Sequence, residues 1–210
     1  MPKIVDRDLY RKELLAKCFD LFASKGYASI TMREIAQKLG VSTGTLYHYF
    51  PNKEAMFVQL VEERYRQTIA SIAPDIEKAQ TLAEKIDVVF NFVGKNENYF
   101  LKQLLLDIEF YQQQGREKLQ ENKALQQLTD EAITEVAKLL GIHDPKLVLY
   151  ISSLIDGLIL ARLYSDELVS WSEQGALLGQ MLTAYLEQEK KYVDQTTISQ
   201  RTQRSDSIGE

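Results

Sequence analysis

Two helix starts, at Thr31 and Ser42, with a glycine between them, constrain this chain more than any other feature. Thr31-Met32-Arg33-Glu34 is a Thr-x-x-Glu capping box: the threonine side chain accepts from the third amide on, and the glutamate reaches back. Ile30 and Ile35 stand at the hydrophobic-staple positions around it. At about 100° per residue, Met32, Ile35, Ala36 and Leu39 share one side, and Arg33, Glu34, Gln37 and Lys38 the other. Gly40 can take the positive φ that stops a helix, and Ser42 can cap the next one. Two short helices joined by a tight glycine turn form a helix-turn-helix. Ala36 suits the close crossing, and Val41 and Leu46 would plug the corner.

The helix that opens at Thr43 has an odd outer face. Leu46, Tyr49 and Phe50 point one way, towards a core. Thr43, Gly44, Tyr47 and His48 point the other way, with Thr45 on the border. An ordinary surface helix would carry Lys and Glu there. Small residues and hydroxyls suit a helix that enters a major groove and touches phosphate. Lys53 begins a further helix, where a bound phosphate would meet its charge, the helix dipole and free amides together. Charge is divided in the same sense. Residues 1–53 hold nine Lys/Arg against five Asp/Glu, whereas residues 54–210 hold 16 against 25. A basic head that meets an anion, joined to an acidic body, is the arrangement this division predicts.

The rest of the chain reads as helix, at about 6–25, 53–72, 81–94, 97–113, 116–140, 145–164 and 170–192, with no convincing strand. Pro74 should end the fourth helix and Gly141 the long one. Four Pro and ten Gly in 210 residues leave these stretches free of breakers. Cys18 lies on the buried stripe of the first helix and reads as core. One Cys and two His, His48 and His143, leave no ligand set for a structural zinc and no disulfide. No Glu-x-x-His pair, plausible triad or Gly-rich phosphate loop points to an enzyme, so no catalytic residue, metal or cofactor is expected. The opening residues lack an apolar h-region, and Leu147–Leu163 is too short and polar to span a membrane. A cytoplasmic protein is expected, with residues 194–210 a disordered tail.

Residues 22–27 (Phe-Ala-Ser-Lys-Gly-Tyr), 31–36 (Thr-Met-Arg-Glu-Ile-Ala), 40–50 (Gly-Val-Ser-Thr-Gly-Thr-Leu-Tyr-His-Tyr-Phe) and Lys53-Glu54 with Phe57 together resemble the DNA-binding domain of the TetR family of bacterial transcriptional regulators. The resemblance covers about residues 8–60. It implies an all-α homodimer: a three-helix DNA-binding domain over residues 1–52, and a helical ligand-binding and dimerisation bundle over 53–193. Thr31, Ser42, Tyr47, His48 and Lys53 match positions that contact phosphate. Thr43, Gly44 and Thr45 match positions that face bases, and Arg33 would reach a base or phosphate from the preceding helix. The partner implied is a palindromic or near-palindromic operator duplex. Most members repress and are released by a small molecule; an activator, or a regulator switched by a protein partner, would carry the same head. The recognition helix has no Arg, Asn or Gln for the common bidentate base contacts, so Arg33 or DNA shape should carry much of the specificity.

For the body, the helix at 145–164 is apolar all round and asks for two partners, its own domain and a second subunit. Gly175, Ala176 and Gly179 on the last helix permit close helix contact, which points to a two-fold dimer through 145–164 and 170–192. Aromatic residues concentrate in 81–114. Phe90, Tyr99, Phe100, Phe110 and Tyr111, with the charges Asp156 and Arg162 set in an apolar helix, are the candidates for a mostly apolar effector site.

Overall fold

The computed structural model describes residues 6–165 and 169–206, with side chains described as far as Tyr192. Among the described residues every regular element is a helix: α1 (Arg7–Lys25), α2 (Met32–Leu39), α3 (Thr43–Tyr49), α4 (Lys53–Lys78), α5 (Leu82–Lys95), α6 (Glu97–Gln114), α7 (Arg116–Glu121), α8 (Lys123–Leu140), α9 (Pro145–Arg162) and α10 (Trp171–Asp206). None of them is long and apolar enough to cross a membrane.

The head forms as its local signals dictate. Asp6 caps α1 by accepting from the amides of Asp8 and Leu9. Both halves of the Thr31–Glu34 capping box are made at α2. Gly40 ends α2 in the left-handed region at φ 70°, and the Ser42 side chain caps α3. Ala36 is 1% exposed at the crossing, Leu46 and Phe50 are fully buried, and Val41 packs against the same core. Cys18 also lies in that core, where burial pushes its thiol up to about 12.

The head core does not stop at residue 52. Met56, Phe57, Val58 and Leu60 of α4 belong to it, as do Leu106 and Phe110 of α6 and Leu119 of α7. A second core joins α5, α9 and α10 around Ile86, Phe90, Val93, Ile159 and Leu178. Within it α10 runs closely along α5.

Four sequence expectations change. Helix α4 runs through Pro74 to Lys78. An interior proline costs about 3 kcal/mol, but Ile72 and Ile76 on either side are buried and hold the helix in place. The stretch 116–140 is two helices, because the Asn122 side chain accepts from the amides of Ala124 and Leu125 and opens a fresh helix there. Gly175 and Gly179 face α5 of their own chain: a β-carbon on either would lie 2.9 Å from Phe90 Cβ or 3.0 Å from Ala83 Cα. Their small size serves internal packing, not a subunit contact. Helix α10 also extends to Asp206, past the expected end near Tyr192, through a run without Pro or Gly.

Two glycines carry positive φ for different reasons. Gly40 has open space where a β-carbon would stand. Gly26, at φ 80° and ψ 149°, would set a β-carbon 2.7 Å from an Oε1 of Glu109 on α6. Gly40→Ala should therefore cost only the left-handed strain, about 1–2 kcal/mol. Gly26→Ala should cost clearly more, because its backbone region is open essentially to glycine alone and the carboxylate must also move. Equilibrium denaturation of both variants checks the order; equal losses would contradict it.

Candidate nucleic-acid interface

The outer face of α3 is open and free of acid. Tyr47 is 50% exposed, Gly44 and His48 are exposed, and Thr43 and Thr45 are half-buried. Thr31, Arg33 and Ser42 are exposed beside it. The Ser42 and Thr45 hydroxyls share a 2.8 Å hydrogen bond, which fixes the helix start. Arg7 of α1 donates to His48 Nε2 at 2.9 Å, so that nitrogen accepts and a guanidinium joins the face. Sequence reasoning did not single out Arg7; it lies 41 residues from its partner, and no local pattern marks it. Glu34 of α2 is charge-paired: the Lys25 ammonium, then the Thr31 amide and hydroxyl, draw its carboxyl down to about 2.

Lys53 is placed differently from the phosphate contact expected of it. Its ammonium donates to the carbonyls of Tyr27, Ala28 and Ile30 at 2.7, 3.3 and 3.0 Å, and it sits over the Tyr27 ring. Its pKa is lowered, chiefly by burial. The loop between α1 and α2 supplies three carbonyls that have no helix to satisfy them, and α4 begins directly beneath. On the other side of the loop, the Glu109 carboxylate accepts from the amides of Tyr27 and Ala28 at 2.8 and 3.0 Å. A lysine from α4 and a glutamate from α6 thus hold one loop of the head by its carbonyls and its amides. Gln114 donates to the Tyr27 hydroxyl, and the Tyr27, Phe57 and Phe110 rings pack at 4.6 to 5.0 Å between centroids.

Beneath this aromatic cluster lies a cavity of about 890 Å³ bounded by α4, α6, α7, α8 and α9. Phe57, Val61, Phe110, Leu125, Val136 and Val148 give it a largely apolar wall. Tyr65, Asp107, Arg116, Thr129, Asp130 and Ser152 bring polar groups to it, and Asp107 is the one whose carboxyl is clearly perturbed. Gln103 donates to Asp107 Oδ1 at 3.0 Å, and burial, with the Asp156 charge nearby, raises the carboxyl to about 7.

The head's spacing, caps and exposed face are matched by a known sequence family. Residues 14–60 fit the model for bacterial regulatory proteins of the tetR family. Residues 14–60 are thus a DNA-binding head of the tetR type. It is 32% identical over 79 residues to the fatty acid metabolism regulator protein of Bacillus subtilis, covering 38% of this chain and 41% of that one. It is 37% identical over 79 residues to the transcriptional repressor KstR2 of Mycobacterium tuberculosis, covering 34% and 40%. The chain thus spans less than half the length of these curated relatives. The fold extends further. The crystal structure of FadR from Bacillus subtilis in complex with stearoyl-CoA superposes with a TM-score of 0.56 at 25% identity, covering 82% of this chain and 97% of that one. FadR from Bacillus halodurans gives 0.62 at 19% identity, covering 82% and 93%.

Within the helical body, two of the seven expected effector residues reach the cavity, Phe110 and the exposed Tyr111. Phe90 is fully buried between α5 and α10, edge-on to Trp171. Phe100 packs on Phe92 and Tyr99. The Tyr99 hydroxyl accepts from Arg64, whose guanidinium lies over the Tyr99 ring. Arg162 pairs with Glu97 and donates to the Val169 carbonyl, so it ties α9 to α6 and to the start of α10. Asp156 does not line the wall, although it acts on Asp107 electrostatically. Large rings fill cores as readily as they line pockets, so aromatic content alone does not locate a cavity. Asp107, alone in the run Leu104-Leu105-Leu106-Asp107-Ile108, marks the side of α6 that faces this one.

Two measurements follow, neither of which needs DNA or ligand. Lys53→Met should destabilise the free protein by about 1–3 kcal/mol, because it strips the loop carbonyls of their donor; a lysine serving phosphate alone would leave denaturation unchanged. Asp107→Asn should stabilise the chain above about pH 4, where the unfolded carboxyl of ordinary pKa ionises and the folded one does not. In wild type, stability is lost as pH rises from the ordinary value to about 7 and then levels off. The gain from the variant should grow across the same window in thermal melts, and a pH-independent difference would contradict the assignment.

Proposed function

We propose that this protein is a homodimeric, sequence-specific transcriptional repressor of the cytoplasm, released from operator DNA by a small, mostly apolar ligand. The observation that carries the reading is the acid-free outer face of α3, presented by a capped helix-turn-helix. Residues 1–52 serve as the DNA-binding head and 53–193 as the effector and dimer body. Thr43, Gly44 and Thr45 face bases. Tyr47, His48, Thr31 and Ser42 approach phosphate, with Arg33 and Arg7 supplying charge at the edges. Lys53 acts by shaping the loop behind them. The role is binding, with no catalytic step assigned.

The dimer reading is supported by what a single chain leaves uncovered. Leu149 and Leu160 on α9, Leu163 just past its end, and Leu177, Met181 and Tyr185 on α10 are large apolar residues at 36–55% exposure. On α10 they recur every four residues, opposite the glycine face that meets α5. Large apolar residues left exposed at helical spacing suit an interface. A two-fold dimer through α9 and α10 gives two heads, and so two half-sites about one helical turn or a multiple apart.

The release mechanism follows from shared parts. Phe57 and Phe110 belong both to the head core and to the cavity wall. Glu109, which holds the head loop, sits between the cavity residues Asp107 and Phe110 on α6. A ligand that moves α6 or α4 therefore moves the loop and changes the spacing of the two heads. The stearoyl-CoA held by the relative of known structure supports a large apolar ligand in a body of this fold.

Fluorescence anisotropy with the duplex upstream of the protein's own gene, and with a random duplex, tests this. A dimer making about six to ten phosphate contacts should lose roughly a thousandfold or more in affinity between about 50 and 200 mM salt. Tyr47→Ala should weaken specific binding by about tenfold or more without changing stability. A protein that binds neither the upstream duplex nor one selected from a random library more tightly than random DNA is not a repressor.

A further inference from the structure

We propose that the cavity takes an amphiphile whose polar end is a protonated nitrogen, seated against the free oxygen of Asp107. This rests on the effector reading above and narrows it from an apolar ligand to a cationic one. Asp107 faces the space with one oxygen held by Gln103 at 3.0 Å, and its other oxygen has no hydrogen-bond partner among the described residues. Phe57, Val61, Phe110, Leu125, Val136 and Val148 give the wall its hydrocarbon part, and Tyr65, Arg116, Thr129, Asp130 and Ser152 add polar groups.

Charge then selects the ligand's head. The side chains that act on Asp107 are Gln103 and a second acid, Asp156 of α9. Among the described residues, Arg116 is the one basic group in the wall, and it does not act on Asp107. An anionic head brought to this end would meet the Asp107 carboxyl, with the Asp156 charge acting from behind the wall, and no cation that acts on either. A hydrocarbon end would leave the free oxygen desolvated and unpaired. A hydroxyl would supply a hydrogen bond but no charge. A protonated nitrogen supplies both, and a charge-assisted bond in an apolar surround is the stronger kind. The carboxyl is half-protonated near neutrality in the empty protein, and a bound cation draws it to the ionised form, so affinity should fall as pH drops below about 7.

Three probes of equal chain length separate these heads: decylamine, decanol and decanoate, titrated calorimetrically into the full-length protein at about pH 8, where both the amine and Asp107 are charged. Decylamine should bind at least about tenfold more tightly than decanoate, the effect of one charge-assisted hydrogen bond. Asp107→Asn, which keeps the shape and the Gln103 contact, should bring the two within about threefold of each other. Asp156→Asn, which leaves the wall intact, should reduce the preference by a smaller factor. Equal or tighter binding of decanoate overturns the proposal, as does a preference that survives in Asp107→Asn, or no binding by any probe. Operator release, read by anisotropy on the same samples, keeps the two readings apart. Amine binding that leaves DNA affinity unchanged sinks the effector role while the head-group assignment stands. Release by decanoate, undiminished in Asp107→Asn, sinks the assignment while the effector role stands.

Discussion

The loop from Gly26 to Ile30 is the point on which the structure turns. It joins two helices of the head, yet its hydrogen bonds are satisfied from the body side: three carbonyls by the Lys53 ammonium and two amides by the Glu109 carboxylate. A buried backbone group without a partner costs free energy comparable to a lost hydrogen bond, so a short loop in this position needs both side chains. Gly26 is part of the same device, because its positive φ turns the chain and its missing β-carbon leaves room for the carboxylate. The head is therefore not an independent module on a linker. Its core includes residues of α6 and α7, and its loop is clamped by α6.

That arrangement accounts for how a cavity among α4, α6 and α8 can bear on a DNA-facing helix. Interiors are close-packed and transmit displacement instead of absorbing it. Phe110 stacks on Phe57 and meets Tyr27 edge-on, and Tyr27 is the residue whose backbone both clamps hold. From the cavity wall to the head loop is one layer of aromatic rings. A change at Asp107 or Phe110 is a change on the same turn of α6 as Glu109. Were a ligand in the cavity to act on the heads, reciprocity would require that DNA, by fixing them, bias the cavity in return.

The head was legible in the sequence because its determinants are local. The Thr31–Glu34 box, the Gly40 stop and the Ser42 cap each act within four residues, and the structure forms all of them. The buried side of α3 follows from period alone. What could not be read depends on partners distant in sequence. Lys53 looks like a free charge at a helix start until the loop more than twenty residues earlier is folded over it. Arg162 looks like an unpaired charge in an apolar helix until Glu97 arrives from α6. Gly175 and Gly179 announce a close contact, but period does not say whether the neighbour is α5 of the same chain or a helix of another. Pro74 is a stop signal by propensity, overruled by the burial of Ile72 and Ile76.

The two faces of α10 show why the body resists reading by composition. One face, with Trp171, Gly175, Leu178, Gly179 and Leu182, is committed to α5 and the second core. The other, with Leu177, Met181 and Tyr185, carries large apolar residues too and leaves them about half exposed. Apolar amino acids at both sets of positions are selected by the same force, removal of hydrocarbon from water. The difference is only where the neighbour comes from. Small residues let α10 lie against α5 at backbone distance, which fixes its rotation about its own axis. That rotation decides which large residues are left outward. The internal glycine contact therefore sets the geometry of the surface that a second subunit would cover.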